Sequence, residues 1–333
     1  MSAGAAGRGE VLGRETLFDR IRSRAAEVTR RARDVRIDDE KLAALASELA
    51  TDVSPPEDLD PMHQFAGSPV KTLAFTIALD AINFGSGWFP VLRKRAGLSG
   101  YRSIATSCRE SVEAGDPWSG VWLRGATPES LARLLAQDLA EPEVAELMAL
   151  FARAWRELGD WLARDHGDRF ESIVEQAEGS AERLVTALAA LPLYRDVARY
   201  DEFEVLFFKR AQITVADLAR AFGGEGYGRF CDLDQLTLFA DNLVPHVLRC
   251  HGVLAYSPAL AAWIDREELL AVGSREEVEI RAVAIEAVER LVARLAEHGR
   301  PTTAHALDGL LWNAGQAPSI KARPRHRARC SFY

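Results

Sequence analysis

The chain has 333 residues, is 48% hydrophobic and carries a formal net charge of −8, which is enough apolar sequence for a full core in one large domain or two lobes. The negative balance disfavours long polyanions, because nucleic-acid binding draws on a surplus of Lys and Arg, but it leaves room for a single phosphate in a pocket. No apolar run approaches the roughly 20 residues that span a bilayer and MSAGAAGRGEVLGRE lacks the apolar segment of a signal peptide, so a cytoplasmic protein is expected.

The first dozen residues have no pattern that requires a fold, and Leu17 to Arg33 has helical composition. Leu42, Leu45 and Leu49 recur at three and four and predict a helix over Asp38 to Leu49, which SPPEDLDP breaks. Ser68 and Pro69 form a cap and first turn for the next helix, which carries Leu73, Ile77, Asp80 and Asn83 along nearby turns and ends at Gly85-Ser86-Gly87, with Trp88 and Phe89 as anchors. Tyr101 to Gly120 is polar and reads as turn mixed with short helix. Thr127 and Pro128 open a helix through Leu135, Pro142 opens a longer one through Leu158, and another is expected from Arg169 through Leu188.

Arg195 to Tyr200 reads as a charged connector. Phe203 to Phe208 has strand-like composition, but Gln212, Val215, Ala216 and Leu218 continue a helical pattern through Phe222, and we assign helix. The glycines at 223, 224, 226 and 228 form a loop that matches neither a P-loop nor a Rossmann fingerprint. Ser274 with Glu277 reads as a capping box opening a helix with the stripe Val278, Ile285 and Val292. Arg281 interrupts a second register, so it either snorkels from the edge or is buried against Glu277. His305 to Asn313 is a short helix ending near Gly315, and the basic segment KARPRHRARC has no periodicity and is expected to be disordered. The fold class is all-α, as one helical domain or two lobes around a central cleft. We divide it into a partly flexible N-terminal segment (1–36), a main domain (37–316) and a basic tail (317–333). The widely spaced Cys108, Cys231, Cys250 and Cys330 form no ligand or disulfide pattern and read as free thiols.

Chemistry is suggested where charge is embedded in apolar sequence, because such a charge is costly to desolvate unless it is paired or used. Lys209 follows Phe207 and Phe208, and Asp241 follows Leu238, Phe239 and Ala240. From local sequence Asp241 is equally an N-cap for the helix LVPHVLR, and Lys209 is equally an edge lysine snorkelling to water.

FFKRAQITVAD (207–217), FADNLVPHVL (239–248), Tyr256-Ser257 and SREEVEIRA (274–282), with LDAINF (79–84), LYRDV (193–197) and LDGLLWN (307–313), occur in one order. Together they resemble the queuosine salvage protein family, the queuosine 5'-phosphate N-glycosylase/hydrolases, from about His63 to Asn313. The resemblance implies an all-α fold, loosely similar to helical DNA glycosylases. It also implies cleavage of the N-glycosidic bond of queuosine 5'-monophosphate to release queuine, with no cofactor and no metal. It makes Asp241 the catalytic carboxylate, Phe239 a stacking partner of the deazaguanine base, and Lys209 a neighbour of the ribose or 5'-phosphate, with Arg210 a weaker candidate. His63, Asp308 and Asn313 are implied in base binding, and Asp80 and Asn83 are candidates for its polar edge. Gly309 stands where a tyrosine is common in the family and Asn313 where an aspartate is common. The alternatives are a non-catalytic deazaguanine-nucleotide-binding protein, or a helical nucleic-acid-binding protein, which the acidic balance disfavours. The pattern leaves the oligomeric state open.

Overall fold

A computed structural model describes residues 15–51 and 67–333. Helices dominate: α1 (Leu17–Arg31), α2 (Asp39–Thr51), α3 (Pro69–Ala81), α4 (Gly100–Glu113), α5 (Gly120–Arg124), α6 (Pro128–Leu134), α7 (Pro142–Asp165), α8 (Phe170–Ala177), α9 (Ala181–Ala189), α10 (Lys209–Ala221), α11 (Val244–Cys250), α12 (Pro258–Asp265), α13 (Arg275–Glu297), α14 (Ala304–Ala314) and α15 (Pro318–Lys321). Two small antiparallel pairs interrupt them. β1 (Val35–Ile37) pairs with β4 (Leu254–Tyr256), with Val35 opposite Tyr256, and β2 (Val197–Tyr200) pairs with β3 (Phe203–Leu206), with Tyr200 opposite Phe203. Among the described residues no helix is long and apolar enough to cross a membrane.

Most boundaries follow local chemistry. Ser68, Ser99, Thr127, Ser257, Ser274 and Thr303 each accept from a first-turn amide, and proline opens α3, α6 and α12. At Ser274 only half of the expected capping box forms: its hydroxyl accepts from Glu277 N at 3.3 Å, but Glu277 Oε2 accepts from Gly273 N instead of closing on the cap residue.

The central helix is α13, which packs against α1, α2, α14 and β1. Val278, Ile285, Val288 and Leu291 are fully buried in it, each stabilising the fold by roughly 1.5–3 kcal/mol. Its buried Glu279 accepts from the amides of Arg33, Asp34 and Val35 and from the Tyr200 hydroxyl, which ties β1 and β2 to the centre. On the other side α10 lies on α3 and α9, and α3 lies on α7. There Trp155 Nε1 donates to Ala78 O at 2.8 Å, fixing the C-terminal turn of α3 that carries Asp80.

Four expectations about secondary structure need correction. Phe203–Leu206 is a strand and helix begins only at Lys209, because Asp201 (φ +48°) turns the hairpin and Phe208 (φ +48°) breaks the backbone before α10. Arg195 to Tyr200 correspondingly includes β2. The single helix expected from Arg169 to Leu188 is two, separated by Glu178 and Gly179 with positive φ, and Asp232 accepts from the first amides of α9. Tyr101 to Gly120 is largely the regular helix α4, whose buried hydroxyls are satisfied one turn back: Ser103 on Ser99 O at 2.9 Å and Thr106 on Arg102 O at 2.8 Å.

The basic tail is ordered. His326, Ala328, Cys330 and Tyr333 are buried, Tyr333 O accepts from Gly85 N and Ser86 N, and Arg329 pairs with Glu143. The tail passes so close to Gly87 that a Cβ there would meet Ala328 O at 2.4 Å. An extended segment inserted into a groove needs only scattered apolar anchors, so it shows no periodicity.

Candidate active site

Three separate stretches meet at Lys209. Its ammonium, 5% exposed, donates to Asn83 O at 3.2 Å and lies within Coulombic reach of Asp241, Asp80 and Asp308. Burial pushes its pKa down, and Asp241 is the strongest of the charges opposing that shift. The start of α10 is held by Asp196, whose carbonyl accepts from Phe207 N and Phe208 N and whose Oδ2 accepts from Lys209 N at 3.2 Å.

Asp241 follows an irregular segment that Gln212 secures through paired bonds with Thr237. The N-cap of α11 is Leu243, not Asp241, but Asp241 Oδ1 accepts from Leu243 N at 2.7 Å and Val244 N at 3.1 Å and so still holds the start of the helix. The residue is only partly buried, and no hydrogen bond within the described residues occupies its other oxygen. Helix anchoring and chemistry therefore use different atoms of one side chain.

Asp308 projects from α14, and its Oδ1 accepts from Phe239 N at 3.2 Å, which links the last helical motif to the segment before Asp241. Burial, then Asp241, drives its pKa well above the ordinary 3.8, while the Phe239 amide and Lys209 oppose the shift. The carboxyl is thus biased toward its neutral form, and stability tied to that form is complete below pH 3.8 and lost as pH rises through the elevated folded value. Asp308→Asn mimics the neutral acid at every pH. It is expected to raise stability by roughly 1 kcal/mol near pH 7, a few degrees in Tm at this size, with the gain vanishing near pH 3.8. Thermal melts across that range check this, and equal melting of the two proteins at pH 7 would contradict it.

Asp80 is also buried, and its pKa is driven up by burial and then by Asp217. Asn83 Nδ2 donates to its Oδ1 at 3.4 Å, and its Oδ2 has no partner among the described residues. Phe239 is buried, 6% exposed, two residues upstream of the catalytic candidate.

The structure does not bring every expected residue to this point. His63 lies outside the described residues. Asn313 is five residues beyond Asp308, about 140° round the helix, and no side-chain hydrogen bond among the described residues ties it to the site. Arg210 is structural: it donates to Ala81 O and Leu193 O and lies over the rings of Phe84 and Tyr194. At Gly309 a Cβ would meet only Arg220, at 3.7 Å, so a larger side chain has space.

Sequence reasoning missed Asp196 as an organiser. Arg281 is buried, as one of its two readings expected, but Asp196 is its shorter partner: the guanidinium contacts Asp196 at 2.5 and 2.9 Å and Glu277 at 3.4 Å, and Nε donates to Ala240 O at 2.9 Å. It thereby links the start of α10 to the residue before Asp241. The only available signal was an aspartate inside the motif LYRDV. Among the described residues no group of three or more His, Cys, Asp or Glu side chains is placed to hold a metal ion.

Fold and site together define a mostly α-helical protein with a small, buried, charge-dense centre assembled from residues distant in sequence. A sequence model of the queuosine salvage proteins matches residues 62–333. The chain belongs to that family. A Sphaerobacter thermophilus protein named queuosine 5'-phosphate N-glycosylase/hydrolase is 38% identical over 313 residues, covering 92% of this chain and 95% of its own. Proteins of the same name from Bos taurus and Mus musculus are each 29% identical, over 94% of this chain and 98% of their own.

Proposed function

We propose that this protein hydrolyses the N-glycosidic bond of queuosine 5'-monophosphate, releasing queuine and ribose 5-phosphate. Besides family membership and the names of its relatives, one observation supports this reading: Asp241 anchors one carboxylate oxygen on backbone amides and has Lys209 and Asp308 as charge neighbours.

N-glycoside cleavage develops oxocarbenium character at C1', and a fixed carboxylate stabilises that charge or attacks it. Asp241 takes this role, with its backbone bonds removing the need to reorganise during the reaction. The leaving base is a 7-deazaguanine, which lacks the N7 that many purine hydrolases protonate, so help must come through other polar atoms. Asp308, biased toward its neutral form, serves to hydrogen-bond the base edge, and Phe239 offers an aromatic face. Asp80 and Asn83 add polar groups on the α3 side. Water supplies the hydroxyl that ends on C1' and the proton that ends on the departing base.

The test is chromatographic. Purified protein incubated with queuosine 5'-monophosphate and a chelator is expected to yield free queuine in proportion to ribose 5-phosphate. Folded protein that leaves the substrate intact would overturn the assignment.

A further inference from the structure

Lys209 and Asp241 come from separate stretches, and main-chain oxygens help to place both. The Lys209 ammonium donates to Asn83 O at 3.2 Å, so its position depends on the loop that leaves α3. Asp241 follows Ala240, whose O accepts from Arg281 Nε at 2.9 Å. The same guanidinium holds Asp196 at 2.5 and 2.9 Å, and Asp196 Oδ2 accepts from Lys209 N at 3.2 Å. A single residue of the ordered tail touches both arrangements. Tyr333 O accepts from Gly85 N at 3.0 Å and Ser86 N at 3.3 Å, just beyond Asn83. The centre of its ring lies 4.8 Å from the Arg281 guanidinium carbon, and that of Phe207, just before Lys209, lies 3.9 Å from the same atom.

The two contacts do different things. Hydrogen bonds to Ala240 O, Asp196 and Glu277 occupy the edge of the guanidinium plane and leave its faces to the rings. A cation over an aromatic face is held by the ring quadrupole, most strongly where water is excluded. Tyr333 is 2% exposed and Arg281 1%, so water cannot stand in for the ring. On the α3 side Gly85 has φ +104°, a conformation that glycine adopts without strain, and the turn there presents two consecutive amides to Tyr333 O. The tail is itself tied down: Leu270 N donates to Arg327 O at 2.8 Å, Arg327 donates to Glu267 O at 2.8 Å, and Arg329 pairs with Glu143. Ala328 O lies only 2.4 Å from where a Cβ on Gly87 would stand, so loop and tail meet with no room between them.

We propose that Tyr333 is a positioning residue of the active site: its main-chain oxygen fixes the Asn83 loop, its ring fixes Arg281, and together they set the spacing between the Lys209 ammonium and the Asp241 carboxylate. This rests on the hydrolase reading above, because glycosidic cleavage is the reaction for which that spacing matters. Tyr333 makes no hydrogen bond to either charged group among the described residues, so it acts on the rate through geometry. A carboxylate that faces C1' beside a fixed cation tolerates little displacement, since a misplacement near 1 Å costs on the order of 100-fold in rate. The basic tail is then part of what assembles the site, although its own charges take no part in the chemistry.

The test compares three variants of the full chain. Tyr333→Met keeps bulk but loses the aromatic face, Tyr333→Phe keeps the face, and Gly87→Ala places a Cβ against Ala328 O and lifts the tail without altering Tyr333. Well below each melting temperature, kcat for queuosine 5'-monophosphate is expected to fall about 10-fold in Tyr333→Met and Gly87→Ala with KM within about 2-fold, and Tyr333→Phe should restore most of the rate. Amide hydrogen exchange reads the geometry without catalysis: exchange should quicken about 5-fold or more at 240–243 in Tyr333→Met, and at 83–86 in Gly87→Ala. Should Tyr333→Met not fold, Gly87→Ala and Tyr333→Phe carry the same comparison. A lowered Tm with unchanged kcat, a loss as large in Tyr333→Phe as in Tyr333→Met, or unaltered exchange at both segments would overturn the positioning role. If the wild type releases no queuine yet the exchange responses appear, the link from Tyr333 to both segments stands and the hydrolase reading falls.

Discussion

Asp241→Asn is expected to lower queuine release by about 10³-fold or more, in line with removing a group that acts on transition-state charge, while shifting the Tm by little. The two effects separate because the side chain has two functions. Its Oδ1 accepts from Leu243 N and Val244 N, and the carboxamide oxygen of asparagine accepts the same bonds. Only the negative charge facing the sugar is lost. Asp241→Ala removes the bonds as well and should cost an additional ~1 kcal/mol of stability. Single-turnover assays paired with thermal melts check both, and near-normal turnover in Asp241→Asn would remove this residue from the mechanism.

Arg281→Met is expected to be among the most destabilising single changes, at roughly 3–5 kcal/mol. Burial works against the charged guanidinium, but Asp196 and Glu277 outweigh it and hold its pKa above the ordinary arginine value. Removing the cation leaves both carboxylates buried without a counter-charge, and Glu277 is already pushed up by burial with Arg281 as the main opposing charge. The same change frees Ala240 O and loosens the grip on Asp196, so Lys209 and Asp241 lose their common reference point. Urea unfolding should show the loss, and the double variant Arg281→Met with Asp196→Asn should recover part of it, because the neutral pair no longer strands one of the charges. A cost below ~1 kcal/mol for Arg281→Met would mean that the network is not a structural keystone.

Several residues of the site were visible as conflicts between charge and context. Lys209, Asp241 and Arg281 interrupt apolar patterns, and all three lie in or beside the buried centre. Other parts of the motifs are scaffold: Ser257 caps α12 and donates to Asp34 Oδ1 at 2.8 Å, and Glu279 gathers three backbone amides. Asp196 was hidden because a charged residue in a charged connector carries no signature of burial, and the connector is in fact strand β2 and its approach.

What the sequence determined by itself was the helical class, most helix starts and the identity of the central charged residues, because caps, periodicity and stranded charges are local or nearly local signals. Tertiary structure alone decided where β3 ends and α10 begins, how Asp196 and Arg281 join two motifs, and that the basic tail packs instead of remaining loose. Each of these depends on partners distant along the chain: Asp196 on Arg281, Tyr333 O on Gly85 and Ser86, and Arg329 on Glu143. Local periodicity cannot encode such meetings, whose free energy comes from burying apolar surface and pairing charge across the folded core.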